Sequence, residues 1–152
     1  MQFVPKTDKE LSEMNLWPAG EYGFEILEYA NFGQNSYVTK DTKSSAGNEM
    51  ILLVVKVVNN EGNSIIIIDY LLEKMAFKLK HAAYSCGLGD KYESGKLFAT
   101  DFIGKSGNLK LKIDKDKDRK YPDKNGVADY VPLEDNKQYQ ESKRDPEDEI
   151  PF

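Results

Sequence analysis

Apolar and polar residues alternate along several short stretches of this chain, which is the pattern of β-strands with one buried face. Residues 108–114 are the clearest case, since leucine and isoleucine are predicted to face inward and Lys110 and Lys112 outward. Residues 49–58 are almost continuously apolar and β-branched, which predicts a strand covered on both faces. Three further strands are predicted at residues 21–29, 64–70 and 126–131.

Between the third and fourth strands the hydrophobic period changes to that of a helix. Apolar residues recur at helical spacing and predict a helix over residues 73–86, with Gly87 at its C-terminal cap. His81 falls outside the apolar stripe, as do Lys74 and Lys78, so we expect a surface histidine. The stripe itself consists of Leu72, Met75, Ala76, Leu79, Ala83 and Cys86.

Three strands, one helix and two strands, in that order, predict a mainly β protein with the OB-fold. This fold is a five-stranded Greek-key barrel, here with its helix between strands 3 and 4. The length of 152 residues predicts one such domain. We place this domain at residues 17–132.

The segments outside the strands and the helix predict connections. Residues 1–16 are polar and predict an irregular lead-in or a short helical turn. Residues 30–48 and 87–101 predict loops, and residues 59–63, rich in Asn and Gly, predict a hairpin turn. Because a tryptophan buries a large area, Trp17 is expected to pack at one end of the barrel.

Several short motifs in the body of the chain carry a resemblance. Their order along residues 17–131 resembles a family of small phage-encoded proteins, some of which are OB-fold single-stranded DNA-binding proteins. This resemblance implies a role in phage replication or recombination. The motifs are Pro18-Ala19-Gly20-Glu21-Tyr22, Gly47-Asn48-Glu49-Met50, Asp69-Tyr70-Leu71, Ile103-Gly104-Lys105-Ser106-Gly107 and Val127-Ala128-Asp129-Tyr130.

The C-terminus is a block of carboxylates followed by an apolar tip. A like-charged block at a chain end is typical of a disordered interaction tail, and a purely solubilising tail has no use for a terminal Phe. The tip resembles the acidic C-terminal tail of bacterial single-stranded DNA-binding proteins, which implies docking onto replication, recombination and repair proteins. The tip is Asp145-Pro146-Glu147-Asp148-Glu149-Ile150-Pro151-Phe152.

Residues 133–144 are polar and predict a flexible linker that presents this tip. About 12 residues of loose chain have an r.m.s. reach of roughly 20 Å, which is enough for the tip to fold back on the domain. We therefore hypothesise that the acidic tail occupies a cationic groove of the free protein and is displaced by DNA.

The net charge is concentrated in the C-terminal segment. The formal charge of the chain is −5, and residues 134–152 contribute −4 of it, from seven acids and three bases. The rest of the chain therefore carries −1, and the acidic pI does not argue against a nucleic-acid partner. One cysteine, no basic and apolar leader and no long apolar run predict a cytoplasmic protein, in a host cell if the chain is phage-encoded, that does not enter a membrane.

A groove for single-stranded DNA needs cations along the phosphates and aromatic rings beneath the bases. On OB-folds such groups gather on the strand 2–3 face and in the loops after strands 1 and 4. The candidate cations are Lys56, Lys105, Lys110, Lys112, Arg119 and Lys120, and the candidate stacking rings are Tyr29, Phe32, Tyr37 and Tyr121.

Catalytic and metal motifs are incomplete in this sequence. Asp114-x-Asp116-x-Asp118 begins like a calcium loop, but Arg119 replaces its required Gly. A chain with one His and one Cys cannot build a structural zinc site from these residue types. We therefore expect a non-enzymatic protein without metal or cofactor, as a monomer or a dimer, that protects single-stranded DNA without sequence specificity. The alternatives are an adaptor that mimics the tail of the host protein without binding DNA, and a nuclease accessory or inhibitor.

Overall fold

A computed structural model of the protein describes residues 1–32, 34–115 and 122–133. The mainly β class is confirmed. The strands are β1 Gly20–Leu27, β2 Tyr29–Phe32, β3 Asn35–Val38, β4 Lys40–Lys43, β5 Glu49–Val58, β6 Ser64–Leu72, β7 Ser106–Asp114 and β8 Lys124–Val131. The helices are α1 Asp8–Met14, α2 Ala76–Ser85, α3 Gly89–Glu93 and α4 Ala99–Phe102.

Six strands form one antiparallel sheet around β5. One edge of β5 pairs with β6 along nearly its whole length, and the other edge pairs first with β4 and then with β1. β1 continues the sheet to β7 and β8. Buried Thr39 occupies the junction of β1 and β4, where its hydroxyl donates to the Leu27 carbonyl at 2.6 Å and accepts from the Val54 N–H at 3.0 Å.

The predicted closure of the sheet into a barrel is wrong. In the described part of the chain, β6 and β8 do not pair through their backbones. Side chains join these two edges instead: the Tyr130 hydroxyl donates to Asp69 at 2.7 Å, and Lys78 of α2 donates to Asp69 and to the Val127 carbonyl, each at 2.9 Å. Since α2 packs against both strands, it fills the opening that backbone pairing would have closed.

Two segments predicted as loops contain regular structure. Residues 30–48 hold most of the β2–β3 hairpin and all of β4, and residues 87–101 hold α3 and the start of α4. β4 carries no apolar residue, so its pairing with β5 depends on backbone hydrogen bonds that leave no hydrophobic pattern. The turn at residues 59–63 is confirmed, with Gly62 at a φ of 84°. Of the two alternatives for the lead-in, an irregular segment or a short helical turn, the structure shows helix, α1.

The helix between strands 3 and 4 of the predicted order is confirmed as α2, but its predicted stripe is partly wrong. Ala76 is exposed, whereas His81 is buried and its Nδ1 lies 3.0 Å from the Asp129 carboxylate. The surface position predicted for His81 is therefore incorrect. Because α2 packs against β8 and against α3, its buried side is wider than one stripe. Cys86 is buried as predicted.

The strand β7 shows the predicted alternation. Leu109 and Leu111 are buried in the core, and Lys110 and Lys112 are exposed. Trp17 packs against this core at one end of the sheet, and its backbone N–H donates to Asn125 Oδ1 at 2.9 Å. The tryptophan is thus a packing residue, as expected.

Gly107 is required by a close approach between β7 and the end of α2. A Cβ at this position would lie 2.8 Å from the backbone oxygen of Ser85 and 3.2 Å from the Phe24 ring. We expect Gly107→Ala to lower the free energy of unfolding by about 1–3 kcal/mol, measured by urea denaturation, because backbone must move to admit the methyl group. Gly20→Ala is the control, since its Cβ would meet no atom closer than 4.0 Å. Equal effects of the two substitutions would contradict this account.

Candidate nucleic-acid interface

The strand register defines which side chains of β4, β5 and β6 lie on the side of the sheet that faces away from the main core. Directly opposed residues of an antiparallel pair lie on the same face, so Lys40, Leu52 and Tyr70 form one row across the three strands. Lys56 and Ile66 form a second row. Leu52 and Val54 of β5 lie on this side but are buried, so the exposed side chains lie around them. We call this exposed set the open face, and define it by Glu25, Lys40, Lys56, Ile66, Ile68 and Tyr70.

A partly exposed apolar strip runs along β6 on the open face. Ile66 and Ile68 are half-buried, and Tyr70 at the end of the strip is 41% exposed. Lys56 lies across from one end of the strip, and Lys40 lies two strands away from the other end. The face therefore offers an aromatic ring and aliphatic side chains between two cations.

No protein-family model and no curated protein sequence matches this chain.

Three of the predicted cations, Lys56, Lys110 and Lys112, point outward, but each has a carboxylate nearby. Lys56 is half-buried and is directly opposed by exposed Glu25 of β1. Lys112 lies 3.1 Å from the carboxylate of Asp114. The structure therefore does not give these lysines an uninterrupted cationic track.

Lys110 is flanked on both sides. Its opposed residues are Glu21 on β1 and Asp129 on β8. Asp129 is already engaged by His81, with Nδ1 within 3.1 Å of both carboxylate oxygens. Glu21 is exposed. Because Asp129 is engaged by His81, Glu21 is the acid that offsets the charge of Lys110. Glu21 thereby reduces the attraction of Lys110 for phosphate.

Lys105 is exposed in the turn before β7. The turn is attached to β1, because the Ile26 N–H donates to the Lys105 carbonyl at 2.8 Å and the Gly104 N–H donates to the Ile26 carbonyl at 2.9 Å. Gly104 adopts a φ of 82°, which favours glycine. Two hydrogen bonds to β1 therefore hold the backbone that carries the exposed Lys105 side chain.

The predicted stacking rings of the β2–β3 hairpin do not share one face. Tyr29 opposes Val38, and Tyr37 opposes Ala30 one position further along, so the two tyrosines point to opposite sides of the hairpin. Tyr29 is 63% exposed, and Tyr37 is half-buried. Of Phe32 the structure gives the backbone, which pairs with Asn35. Tyr29 and Tyr37 cannot form a single stacking platform with each other.

The remaining candidates lie outside the described residues. Only Leu133 of the linker is described, and it is exposed. The undescribed candidates are Arg119, Lys120 and Tyr121, between β7 and β8 in the sequence, and Asp145, Glu147, Asp148, Glu149, Ile150, Pro151 and Phe152 in the tip.

Two residues of the open face, Lys40 and Tyr70, are not among the site residues predicted from the sequence. Lys40 lies in a segment predicted as a loop, and its strand is defined only by its pairing with β5. A signal for Tyr70 was present, because Ile66, Ile68 and Tyr70 occupy alternate positions of one strand. Placing that alternation on the solvent side required the register with β5.

On the core side of the sheet, burial keeps two ionisable groups, Tyr130 and Cys86, protonated. Burial and the neighbouring Asp69 carboxylate raise the pKa of Tyr130 well above its ordinary value. Burial raises the pKa of the Cys86 thiol to about 12, against a smaller lowering effect of Lys105. Both groups therefore remain protonated at neutral pH, and a thiol in this state is a poor nucleophile.

Within the described ranges, no helix is long and apolar enough to cross a membrane. The same residues contain no group of three or more His, Cys, Asp or Glu side chains arranged to hold a metal ion.

Proposed function

We propose that the protein binds single-stranded DNA across its open face, without strong sequence preference, and recruits replication or recombination proteins through its C-terminal tip. The observation that carries this proposal is the strip of Ile66, Ile68 and Tyr70 between Lys40 and Lys56. Bases stack on aromatic rings and pack on apolar side chains whatever their identity, while lysines attract the phosphates.

The position of the strip within the sheet supports the same function. β1, β5, β6, β7 and β8, with α2 after the third of them, correspond in order to the strands and helix of an OB-fold. We propose that the domain is an OB-fold whose barrel stays open between its third and fifth strands. OB-folds are partly open barrels that bind oligonucleotides on the face of strands 2 and 3, which are β5 and β6 here.

The open face predicts a moderate dependence of binding on salt. Each phosphate neutralised on a single strand contributes about −0.7 to the slope of log K against log salt concentration. Lys40 and Lys56 would together give a slope of roughly −1.4, and Glu25 beside Lys56 works against a steeper one. Stacking on Tyr70 must then supply a large share of the affinity.

We expect Tyr70→Ala to weaken binding of a fluorescent poly-dT oligonucleotide by about 5- to 150-fold, because loss of one stacking ring costs about 1–3 kcal/mol. Fluorescence anisotropy of the full-length protein at low salt measures this. Phe77→Ala is the matched control, since Phe77 is an exposed ring on α2 and not on the open face. Equal losses in both variants, or none in Tyr70→Ala, would contradict binding by this face.

The tail hypothesis is tested in the same titration with a chain that ends at Arg144. If the acidic tip competes with DNA, the shortened protein binds poly-dT more tightly than the full-length protein at low salt. Unchanged affinity would refute the competition and leave the tip solely for partner proteins.

The carboxylates beside the predicted cations favour a second candidate, an adaptor whose domain binds no DNA and whose tip mimics a host protein tail. Glu21, Glu25 and Asp114 reduce the positive potential along Lys110, Lys56 and Lys112. Absence of poly-dT binding by either form at low salt would select this candidate. A nuclease accessory or inhibitor belongs to the same class, and would be identified by an effect on a nuclease in the absence of DNA binding.

A further inference from the structure

A groove of about 1130 Å³ lies at the end of the sheet where β5 begins and β6 ends. Ile51 and Leu71, which oppose each other and are both buried in the core, form its floor on the core side of the sheet. The chain from α3 to α4 forms its wall. We call it the Leu97 groove, and define its apolar lining by Ile51, Leu71, Leu79, Tyr92, Leu97 and Phe98.

The apolar lining of the Leu97 groove is only partly covered within its own chain. Leu79, Tyr92 and Leu97 pack against the main core but are half-buried, so part of each side chain faces the groove. The Phe98 ring is 55% exposed. Exposed apolar side chains around a concave surface are typical of a site that binds a peptide or a short amphipathic helix.

Among the described residues, the charged side chains that line the groove balance, with three lysines against three acids. Such a lining offers no net attraction to a strongly charged occupant, whether a nucleic acid or the acidic C-terminal tip. It suits an apolar segment of low net charge. The six charged residues are Asp41, Lys43, Glu49, Glu73, Lys74 and Lys96.

Residues 1–16 of the same chain have this character. The segment contains two lysines and three acids, so its net charge is small. Leu11 and Met14 lie three residues apart on α1 and therefore on one side of the helix, where they are 47% and 66% exposed. The large apolar side chains exposed in this segment are Met1, Phe3, Val4, Leu11 and Met14.

α1 begins with a complete capping box. The Glu10 N–H donates to the Thr7 hydroxyl at 3.1 Å, and the Thr7 N–H donates to the Glu10 carboxylate at 3.2 Å. A helix of seven residues is nevertheless marginal in water unless it packs on another surface. Because Leu11 and Met14 are exposed in the single chain, that surface must come from elsewhere.

The chain is too short to place α1 in its own groove. Trp17, which follows the segment, is held by reciprocal hydrogen bonds with Asn125, each of 2.9 Å. It precedes β1, whose first residues lie at the Val58 end of β5, remote from the groove. From Val58 to Ile51 the strand spans roughly 24 Å. Met14 is separated from Trp17 by three residues, which reach at most about 11 Å.

We propose that the segment of residues 1–16 docks in the Leu97 groove of a second copy of this chain, and that two copies exchange their segments. Reciprocal exchange closes a symmetric dimer, because each copy both supplies a segment and receives one. Covering five large apolar side chains removes roughly 500 Å² from water, and the groove surface opposite them loses a similar area. Two such contacts bury about 2,000 Å², the size of a stable interface. The dimer does not rest on DNA binding, since no residue that defines the groove belongs to the open face.

Sedimentation equilibrium of the full-length protein over a range of micromolar concentrations tests the dimer. We expect a monomer–dimer equilibrium in the wild type. Leu11→Asp combined with Met14→Asp places charges in the apolar contact of both copies, and should weaken dimerisation at least about 10-fold. A wild type that stays monomeric over the whole range would overturn the proposal, and so would a double variant that dimerises as tightly as the wild type.

A matched pair of rings locates the contact on the groove. Phe98→Ala removes the most exposed part of the apolar lining and should weaken dimerisation about 10-fold, as expected for an aromatic anchor of an interface. Phe77→Ala removes a similarly exposed ring of α2 that does not line the groove, and should leave dimerisation unchanged. Equal effects in the two variants, with far-UV circular dichroism showing both folded, would place the dimer contact elsewhere and refute the proposal.

A fluorescein-labelled peptide of residues 1–16 identifies the occupant. The protein with Leu11→Asp and Met14→Asp keeps its groove, so it should bind the peptide saturably, and the further change Phe98→Ala should weaken that binding about 10-fold. Absence of saturable binding would contradict the exchange.

A labelled peptide of residues 145–152 represents the rival occupant. If it alone bound saturably, and Phe98→Ala removed its binding, the groove would belong to the C-terminal tip and the proposal would be wrong. The result for poly-dT binding stays independent, since it is read from a labelled oligonucleotide and from Tyr70→Ala.

Discussion

Asp69→Ala is expected to lower the free energy of unfolding by about 3–5 kcal/mol, because it leaves a half-buried lysine without its counter-ion. The Asp69 side chain is 10% exposed and accepts from Lys78 at 2.9 Å and from the Tyr130 hydroxyl at 2.7 Å. These contacts join β6, α2 and β8 across the gap between the unpaired edges of the sheet. Their loss removes both the pairing of Lys78 and the partner of a fully buried hydroxyl.

Urea denaturation of wild type and variant at pH 7 measures the effect. The control is Asp114→Ala, which breaks the Lys112–Asp114 pair at 3.1 Å, where the side chains are 49% and 40% exposed. Pairs this exposed contribute about 0–1 kcal/mol. If Asp69→Ala cost no more than Asp114→Ala, the contacts between β6 and β8 would be ordinary surface pairs, and packing of α2 alone would hold the two edges together.

Tyr130→Phe separates the two partners of Asp69. It removes the hydroxyl and leaves the ring, which packs edge-on against Phe24 at 5.3 Å between centroids. The remaining Lys78–Asp69 pair keeps its geometry, so this change should cost about 1–3 kcal/mol, less than Asp69→Ala. In the double variant the costs should not add, because both substitutions break the same hydrogen bond.

The main strands were predictable because each carries its own apolar pattern. β5 is covered on both faces and reads as a continuous apolar run, and β7 alternates cleanly between Leu109 and Leu111 inside and lysines outside. Their order, with α2 after β6, was also predictable, since it needs only the sequence of periods along the chain. These parts depend on residues close in sequence.

The other parts depend on residues far apart in sequence. β4 consists of Lys-Asp-Thr-Lys and is a strand only because the backbone of β5 lies beside it. His81 looked like a surface residue on a helical wheel, but Asp129, 48 residues away, pairs with it on the buried side of α2. The link between the unpaired edges β6 and β8 likewise depends on Tyr130 meeting Asp69 from a distant strand.

In the candidate interface, too, local features were predictable from the sequence and features set by strand pairing were not. Lys56 was recognised as an outward cation within an apolar run, which is a local feature. Its opposed residue Glu25 follows from the register of β1 with β5, and so does the row that brings Lys40 toward Tyr70. The sequence could therefore predict which side chains point outward, but not which charges and rings stand side by side.

Alkaline pH is expected to destabilise the protein through Cys86. Burial raises the pKa of this thiol from 9.0 to about 12. Below pH 9 the thiol is protonated in both the folded and unfolded states, so its contribution is fully present. Between pH 9 and 12 unfolding releases a proton, and stability falls by about 1.4 kcal/mol per pH unit. The total would be about 4 kcal/mol, with about 2 kcal/mol lost by pH 10.5.

Urea denaturation at pH 7.5, 9 and 10.5, under reducing conditions, measures this loss of stability in the wild type and in Cys86→Ala. The substitution leaves the other titrating groups in place, including Tyr130, whose raised pKa also removes stability as the pH rises above 10. Wild type should therefore lose about 2 kcal/mol more than Cys86→Ala between pH 7.5 and 10.5. Parallel losses in the two proteins would show that the thiol ionises in the folded state as readily as in the unfolded state. Cys86 would then be accessible to water at alkaline pH. The packing of α2 over the gap between β6 and β8 would in that case be looser than the burial of Cys86 indicates.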